Sequence, residues 1–278
     1  MSSTRSRRIA GAGATYVAYL VILVVFLGPI VFMAWGSVHH SGAIASSPPK
    51  FTAAATLDNY VKLFERLNFA RYLVNSIVIA GGSTLIGLAA GAMAAYGIAR
   101  LRLRLLSIVT LVARMAPGVL FLIPLRVIAV RFGAIDSVPL NYVLLVLVHL
   151  IITLPLCVWL LIPFFDGVPR AVEEAAEIDG CTVRRTFWTI ALPMVRPGIA
   201  VAAVISFIFS WNYFLFALAL ANVDTLPLPV IAFNFIGIGQ YDWGGLMAAA
   251  VVIAAPTTVL TLIAQRFLVR GFMGGAVR

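Results

Sequence analysis

Six stretches of this sequence are apolar and long enough to cross a lipid bilayer, which limits the available folds more than any other feature. A helix rises about 1.5 Å per residue, so roughly 20 residues cross a hydrocarbon layer of about 30 Å. Inside lipid every backbone N–H and C=O must find a partner, which favours helices over open sheets. The sequence therefore predicts an all-α polytopic membrane protein with six transmembrane helices, at residues 15–37, 72–99, 105–131, 139–163, 198–221 and 243–268.

Composition and charge agree with a membrane location. Hydrophobic residues make up 62% of the 278 and charged residues 11%, with a net charge of +10. An arginine excess in a membrane chain typically lies in cytoplasmic loops, and no basic stripe interleaved with aromatic residues indicates nucleic-acid binding. The first apolar stretch is longer than the core of a signal peptide, so we expect it to be an uncleaved span. The two cysteines are too few and too far apart for a disulfide framework or a zinc site.

The arginines predict the topology, because most of them fall in alternate loops. They lie before the first span, between spans two and three, after span four and after span six. We expect cytoplasmic tails at 1–14 and 269–278, an external loop at 38–71 and a cytoplasmic loop at 164–197 within a six-span transmembrane domain at 15–268. Prolines predict interruptions of the spans at Gly28-Pro29, Pro117-Gly118, Pro124, Pro155 and Pro256, which indicate a bundle with a pathway. Gly87 and Gly91 have the spacing of close helix packing.

Four of the ten acidic residues lie between Glu173 and Asp179, in the loop after the fourth span. Pro169 is suited to the first turn of a helix there, and Gly180 to the left-handed residue that ends it. Thr182 is a predicted cap for a second helix, in which Val183, Phe187 and Ile190 share one face and which Pro193 ends. The segment therefore predicts a rigid helix-turn-helix projecting from the membrane.

The spacing in this loop resembles a known motif. Glu174-Ala175-Ala176, three residues, Gly180, nine residues, Ile190, one residue and Leu192-Pro193 are similar to the EAA motif of ABC importer permeases. NSIVIA, AAYGIARLR, LPLCVWLL, SWN and DWGGLMAA extend the resemblance to the carbohydrate permeases, in particular the maltose-type second permease. The resemblance implies a type I ABC importer permease fold with cytoplasmic EAA coupling helices. By the same resemblance the residues that contact or shape the ATPase interface are Glu173, Glu174, Ala175, Ala176, Asp179, Gly180, Ile190, Leu192 and Pro193, with Gly274, Gly275, Ala276, Val277 and Arg278 in the tail.

The resemblance also implies the partners. They are a second homologous permease, an ABC ATPase dimer, an extracytoplasmic solute-binding protein and a carbohydrate substrate, at the inner (cytoplasmic) membrane. The two lysines, Lys50 and Lys62, precede Phe51 and Leu63, so the chain has no Gly-Lys-Ser/Thr phosphate loop. We expect no enzyme activity and no cofactor in this chain, with ATP and magnesium bound by the partner ATPase.

Polar residues inside the predicted spans are candidates for the substrate path. Arg114 and Arg126 lie in span three, where a charge costs about 2.5 kcal/mol or more. The alternatives are that one of them contacts an anionic solute such as a sugar phosphate, that they snorkel, or that they pair with the other subunit. Trp211 and Asn212 combine a stacking surface with an amide, which suits a sugar but equally suits packing. Tyr213 stands where relatives commonly have an acid, and His149 is more typical of a hydrogen-bonded helix contact than of a proton relay.

Two other functions are compatible with a bundle of spans. A secondary transporter driven by an ion gradient predicts acidic or histidine ion sites within the spans and an inverted repeat. The acidic residues here avoid the spans, and no clear repeat is visible. A membrane scaffold that carries no solute would not require interrupted spans.

Overall fold

The computed structural model describes residues 2–232, 235 and 241–275, and this part of the chain contains helices but no β-strand. Two single π-helical turns, Lys62–Arg66 and Phe187–Ala191, interrupt the helices locally. The helices are α1 Ser2–Ser37, α2 Ser41–Ile44, α3 Asp58–Val61, α4 Phe69–Leu101, α5 Arg104–Met115, α6 Val119–Arg131, α7 Val138–Asp166, α8 Arg170–Ile178, α9 Val183–Thr186, α10 Leu192–Met194, α11 Arg196–Asn212, α12 Leu215–Leu220, α13 Leu228–Ala232 and α14 Trp243–Gly275.

Four of these helices, α1, α4, α7 and α14, are long and apolar enough to cross a membrane without a break. Two bent pairs add up to two more spans: α5 with α6, bent by 86°, and the α9–α10 segment with α11, bent by 78°. The prediction of an all-α, six-span chain is confirmed in this form. At each bend, a short break in the helix sets the direction in which the next helix runs.

The third predicted span, 105–131, is not one helix. It breaks at residues 116–118, where Ala116 is extended with φ −64° and ψ 126°. A residue before proline avoids the helical region, and Gly118 after it imposes no side chain, so this pair ends α5. The other predicted interruptions are wrong: the helices continue through Pro29, Pro124, Pro155 and Pro256. A single proline removes one backbone hydrogen bond, which a long helix tolerates.

The fifth predicted span, 198–221, also differs from the structure. Helix α11 ends at Asn212, and Tyr213 is extended, with φ −86° and ψ 92°. Six residues of α12 then follow, which is too short to continue a span. The predicted fifth span is therefore broken at Tyr213, and the bent pair that contains α11 extends back towards Val183 rather than through α12.

The chain divides into two compact units, residues 1–68 with 234–252 and residues 69–233 with 253–278. In the larger unit, α4 packs closely along α7. A Cβ at Gly87 would lie 2.8 Å from Thr153 Oγ1, and one at Gly91 would lie 2.7 Å from Cys157 Cβ. No real Cβ tolerates such distances, so the two glycines set the separation of these helices. The prediction that they serve packing is confirmed.

Side-chain hydrogen bonds join α4 and α7 to each other and to α11. The Thr153 hydroxyl donates to the Ser83 carbonyl at 3.1 Å, and the Ser83 and Ser210 hydroxyls share a bond of 2.8 Å. Cys157 Sγ and Ser206 Oγ lie 3.1 Å apart. Small polar side chains therefore join α4, α7 and α11 where no apolar driving force acts between helices in lipid.

Asparagine and arginine side chains satisfy the last carbonyls of α12. Asn141 Nδ2 donates to the Leu220 carbonyl at 2.9 Å and to the Ala134 carbonyl at 3.0 Å. Arg126 Nη1 donates to the Ala219 carbonyl. The last carbonyls of a helix have no partner within that helix, so these bonds complete the end of α12.

The smaller unit is organised by hydrogen bonds of the segment that follows α1. Asn59 Nδ2 donates to the carbonyls of Ser37 and His39, both at 2.9 Å. Asp242 begins α14, because its Oδ1 accepts from the Gly245 amide at 3.0 Å in the manner of a helix N-cap. Ser41 Oγ donates to the same Asp242 oxygen at 2.7 Å.

The α4–α7 separation makes a matched pair of substitutions informative. We expect Gly91→Ala to lower stability by about 1–3 kcal/mol, because the added methyl overpacks the contact with Cys157. Gly97→Ala is the control in the same helix, since nothing lies within 4 Å of a Cβ there. Thermal unfolding in detergent, followed by size-exclusion chromatography, measures both. Equal unfolding temperatures for the two variants would show that Gly91 does not set the separation of α4 and α7.

Candidate functional site

The loop between α7 and α11, residues 167–195, contains the acidic cluster and is called the acidic loop below. Pro169 directly precedes α8, with φ −60° and ψ 129°, so its fixed φ and missing N–H fit the helix start. Gly180 follows α8 with φ +81°, the left-handed conformation that the sequence predicts. Its amide donates to the Glu177 carbonyl at 3.0 Å, and the Cys181 amide donates to the Ala176 carbonyl at 2.9 Å. These two bonds form a Schellman motif, which fixes the turn after α8.

The second helical segment of the acidic loop begins at the predicted cap. Thr182 Oγ1 accepts from the Arg185 amide at 3.4 Å. Phe187 is buried and Ile190 is half-buried, but Val183 is exposed, so the predicted three-residue face is wrong at its first position.

Pro193 does not end this segment, contrary to the sequence prediction. It lies inside α10, and the chain bends only at Val195. The Leu192 amide donates to the Phe187 carbonyl across the wide π turn, and Pro193 follows without an N–H to place. Leu192 is half-buried against the core cluster beneath the loop.

Three aromatic rings attach the acidic loop to the spans. The Phe187 ring centroid lies 5.1 Å from that of Tyr96 on α4 and 6.2 Å from that of Phe165 on α7. Tyr96 and Phe165 meet edge to face at 5.5 Å. Such pairs contribute about 0.5–1.5 kcal/mol each beyond the apolar area that they bury. The second segment of the loop is therefore packed on α4 and α7 together.

A two-bond ion pair attaches the first segment, α8, to α4. Arg100 Nε donates to Glu173 Oε2 at 2.7 Å, and Arg100 Nη2 donates to Glu173 Oε1 at 2.5 Å. The two side chains are 14% and 10% exposed, so solvent screens their attraction only weakly. The Tyr96 hydroxyl donates to the same carboxylate at 3.1 Å.

The Arg100 guanidinium also holds the end of α7. Its Nη1 donates to the Phe165 carbonyl at 3.0 Å and its Nη2 to the Val168 carbonyl at 3.4 Å. One side chain on α4 therefore binds the last turn of α7, the connecting turn and α8. The planar guanidinium has five fixed donors, which a lysine could not replace.

Sequence reasoning placed Glu173 in the cluster but did not find its partner. Arg100 was grouped with the other arginines that set the topology, since no spacing rule joins positions 100 and 173. The available signal was local: Tyr96 and Arg100 are one turn apart at the end of a long span, so both side chains point to the same side.

The remaining acidic residues of α8 face outward. Glu174, Ala175, Glu177 and Asp179 are exposed, and Ile178 is 87% exposed, while Ala176 is buried. Glu174 and Glu177 line a groove of roughly 430 Å³, together with Arg170 and the end of α4. Arg100 neutralises the Glu173 charge, whereas Glu174 and Glu177 form no ion pair within the part of the chain that the structure describes.

The predicted tail lies partly outside the described residues. Gly274 and Gly275 are the last two residues of α14, and 276–278 lie beyond the described part. The contact of this tail with an ATPase stays a prediction.

The substrate-path candidates have different environments. Trp211 is 2% exposed, and its indole N–H donates to the Ile253 carbonyl at 3.0 Å. Asn212 is exposed, and its Nδ2 donates to the Ile208 carbonyl at 2.8 Å. Tyr213 is half-buried beside Phe216, and Arg114 is half-buried with its guanidinium 5.3 Å over the Phe209 ring.

His149 is fully enclosed between helices. Its Nδ1 lies 2.7 Å from the Leu145 carbonyl, and its Nε2 lies 3.3 Å from the carbonyl of Tyr213. Tyr213 is the extended residue after α11, so His149 satisfies a carbonyl next to that break. This agrees with its prediction as a hydrogen-bonded helix contact.

Comparisons with known proteins give a consistent picture. The family model described as "Binding-protein-dependent transport system inner membrane component" matches residues 87–274. The trehalose transport system permease protein SugB of Mycobacterium tuberculosis is 36% identical over 273 residues, covering 95% of this chain and 98% of that protein. The probable ABC transporter permease protein y4oR of Sinorhizobium fredii is 34% identical over 266 residues, covering 94% and 93%.

A solved structure has the same fold. It is a bacterial ABC transporter involved in the import of the acidic polysaccharide alginate, and one of its chains matches with a TM-score of 0.74 at 18% identity. The match covers 94% of this chain and 97% of the other.

The Arg100–Glu173 pair yields a test of what holds the acidic loop. We expect Glu173→Gln to weaken the attachment of α8 by about 2 kcal/mol, because an enclosed guanidinium loses its counter-charge. Local opening then becomes roughly 30-fold more frequent, and trypsin cleaves faster after the exposed Arg184 and Arg185. Mass spectrometry of timed digests of the purified protein identifies the sites. Glu177→Gln, an exposed acid on the same helix, is the control, and equal cleavage rates in the two variants would contradict the role of the pair.

Proposed function

This chain belongs to the family of binding-protein-dependent transport system inner membrane components, and on that basis we propose that it forms, with a second permease, the pathway of an ABC importer for a sugar or sugar-like solute. It is a multi-pass permease subunit of the inner membrane. A carbohydrate substrate is supported by the trehalose permease that is 36% identical along nearly the whole chain. An extracytoplasmic binding protein delivers the solute, as the family description implies.

The acidic loop is the element that receives the ATPase motion. The observation that carries this proposal is the attachment of α8 to α4 by the two-bond Arg100–Glu173 pair, with the opposite face of α8 exposed. A short helix presented to a groove on a partner is a common mode of recognition. Because α8 is fixed to α4 and to the end of α7, displacement of α8 displaces those spans as a rigid body.

Each residue of the predicted coupling set has a distinct task in this proposal. Glu174, Ala175 and Asp179 face the ATPase, whereas Glu173 and Ala176 face the spans. Gly180 fixes the turn, and Ile190, Leu192 and Pro193 shape the second segment on which the turn is mounted. The tail, 274–278, is a second contact with the ATPase.

The partner subunits supply the chemistry. ATP and magnesium bind to the ATPase dimer, because this chain has no phosphate-binding loop. Closure of that dimer moves one acidic loop from each permease and switches the pathway between inward and outward access. Both termini and the acidic loop lie in the cytoplasm, which the arginine distribution supports.

Co-purification tests the docking surface. The tagged protein is expressed with its neighbouring genes and purified in mild detergent, and the recovered nucleotide-binding subunit is quantified. We expect Glu174→Arg to reduce that recovery at least tenfold, about 1.4 kcal/mol, because it reverses a charge on the exposed face of α8. Glu65→Arg makes the same change at an exposed acid in the predicted external loop and should leave recovery unchanged.

The result distinguishes the proposed function from its alternative. Recovery of an ATPase with the wild type and with Glu65→Arg, but not with Glu174→Arg, supports docking through α8. If no ATPase accompanies the wild type while the protein remains folded, the ion-gradient mechanism becomes the better explanation.

The turn at Gly180 is a second test of coupling. A valine there is strained by about 1–2 kcal/mol, since its φ of +81° is left-handed and β-branched residues avoid that region. We expect Gly180→Val to insert and assemble normally but to reduce ATP-dependent uptake several-fold. Gly180→Asn should retain most of the uptake, because asparagine tolerates the left-handed conformation. Uptake by Gly180→Val equal to the wild type would show that the turn geometry is not needed for coupling.

A further inference from the structure

The breaks in the third and fifth spans lie against each other. A Cβ at Gly118, in the first break, would overlap the hydroxyl of Tyr213, in the second. One turn earlier on each helix, the Arg114 guanidinium lies 5.3 Å over the Phe209 ring. The two broken spans therefore contact each other both at their breaks and one turn before them. Irregular backbone at membrane depth is tolerated where it is buried in protein or lines a water-filled cavity.

Helix α5, which leads to the first break, has a polar stripe. Ser107, Thr110 and Arg114 are spaced by three and four residues and therefore share one face. These three are half-buried, whereas the apolar residues around them, such as Leu105, are exposed. The polar side of α5 is thus turned toward the protein, and its apolar side outward.

Arg114 differs from the other arginine of this broken span. Arg126 donates to the Ala219 carbonyl and completes the end of α12. Arg114 has neither a hydrogen bond nor a carboxylate within 4 Å in the described residues, and only the Phe209 ring contacts its charge. A contact with an aromatic ring engages the charge of the guanidinium and leaves its five N–H donors free for an oxyanion.

A neutral hydrogen-bonding group stands one turn from Phe209 on the same helix. Asn212 is exposed, and its Nδ2 is used by the Ile208 carbonyl. Its Oδ1 has no partner within the described chain, so it is available to accept from a hydroxyl group. The end of α11 and the end of α5 together offer a cation, a hydroxyl acceptor and an aromatic surface.

We propose that Arg114, with Phe209 and Asn212, forms a subsite for the anionic group of the transported solute, so that the substrate is an acidic sugar. This rests on the proposed function, since a subsite for a solute requires that the chain transport one. A carboxylate, a sulfate or a phosphate ester on the sugar meets the guanidinium edge in the same two-bond geometry. Asn212 accepts from a neighbouring hydroxyl, and Arg114 in turn selects against neutral sugars, because an unneutralised cation remains in the pathway when they bind.

The experiment uses matched pairs of solutes that differ by one anionic group: glucose with glucuronate, and trehalose with trehalose 6-phosphate. The cognate binding protein is first titrated with each solute by calorimetry. The complete importer is then reconstituted in proteoliposomes, and ATP-dependent uptake is measured for the wild type, Arg114→Gln, Arg114→Lys and Arg131→Gln. Arg131 is an exposed arginine at the far end of α6 and is the control.

We expect the binding protein and the wild-type importer to prefer the acidic member of at least one pair. Arg114→Gln should lower uptake of that solute at least tenfold, Arg114→Lys should lower it less, and Arg131→Gln should leave it unchanged. Subunit recovery, measured on the same preparations, should be the same in all four proteins. Loss of assembly in Arg114→Gln and Arg114→Lys alike would overturn the subsite and indicate that Arg114 pairs with the second permease.

Two further outcomes separate this inference from the proposed function. Uptake of neutral sugars in preference to acidic ones, or acidic uptake unchanged in Arg114→Gln, overturns the inference and leaves the permease function intact. If ATP-dependent uptake of a solute held by the binding protein is absent in the wild type, the proposed function fails, and the inference fails with it.

Discussion

The close approach of α4 and α7 is the contact on which the rest of the larger unit depends. Between lipid-facing helices there is no hydrophobic gain from association, so packing and hydrogen bonds must supply the attraction. Gly87 and Gly91 let the two backbones approach, and Thr153 reaches the Ser83 carbonyl because of that approach. The same separation brings Tyr96 and Phe165 into edge-to-face contact one to two turns further along. A wider spacing between α4 and α7 would separate Tyr96 from Phe165, the two rings on which Phe187 packs.

The acidic loop is held in place because Phe187 packs on Tyr96 and Phe165. Its two segments are attached by different forces, the first by charge through Arg100 and Glu173, and the second by aromatic packing through Phe187. Both attachments end on α4 and the end of α7, whereas α11 continues directly from the loop at Val195. A force on α8 therefore reaches three spans, two through side chains and one through the backbone. A loop joined only by its backbone would deliver the same force to its two flanking helices alone.

The features that could be predicted from the sequence are those set by residues close together in the chain. Gly180 was predictable, because a left-handed residue after a short helix is a property of a few adjacent positions. The spans were predictable because apolar length is also local. The Arg100–Glu173 pair was not, since 73 positions separate residues that only the α4–α7 packing brings together. The prediction that Pro193 ends the second segment was wrong because the π turn before it changes the hydrogen-bond register. Such a turn is a backbone irregularity without a simple residue code.

The proline positions show the same limit in the membrane itself. Pro29, Pro155 and Pro256 look as disruptive in the sequence as Pro117, yet only the last ends a helix. The difference is tertiary: at Pro117 the broken backbone faces a second break, at Tyr213, and His149 approaches the carbonyl freed there. The break at Tyr213 is thus tolerated because a neighbouring side chain satisfies a polar group that it frees. Arg114, beside the first break, has no such polar partner among the described residues, and this unmet charge separates a structural arginine from one that is available to a solute.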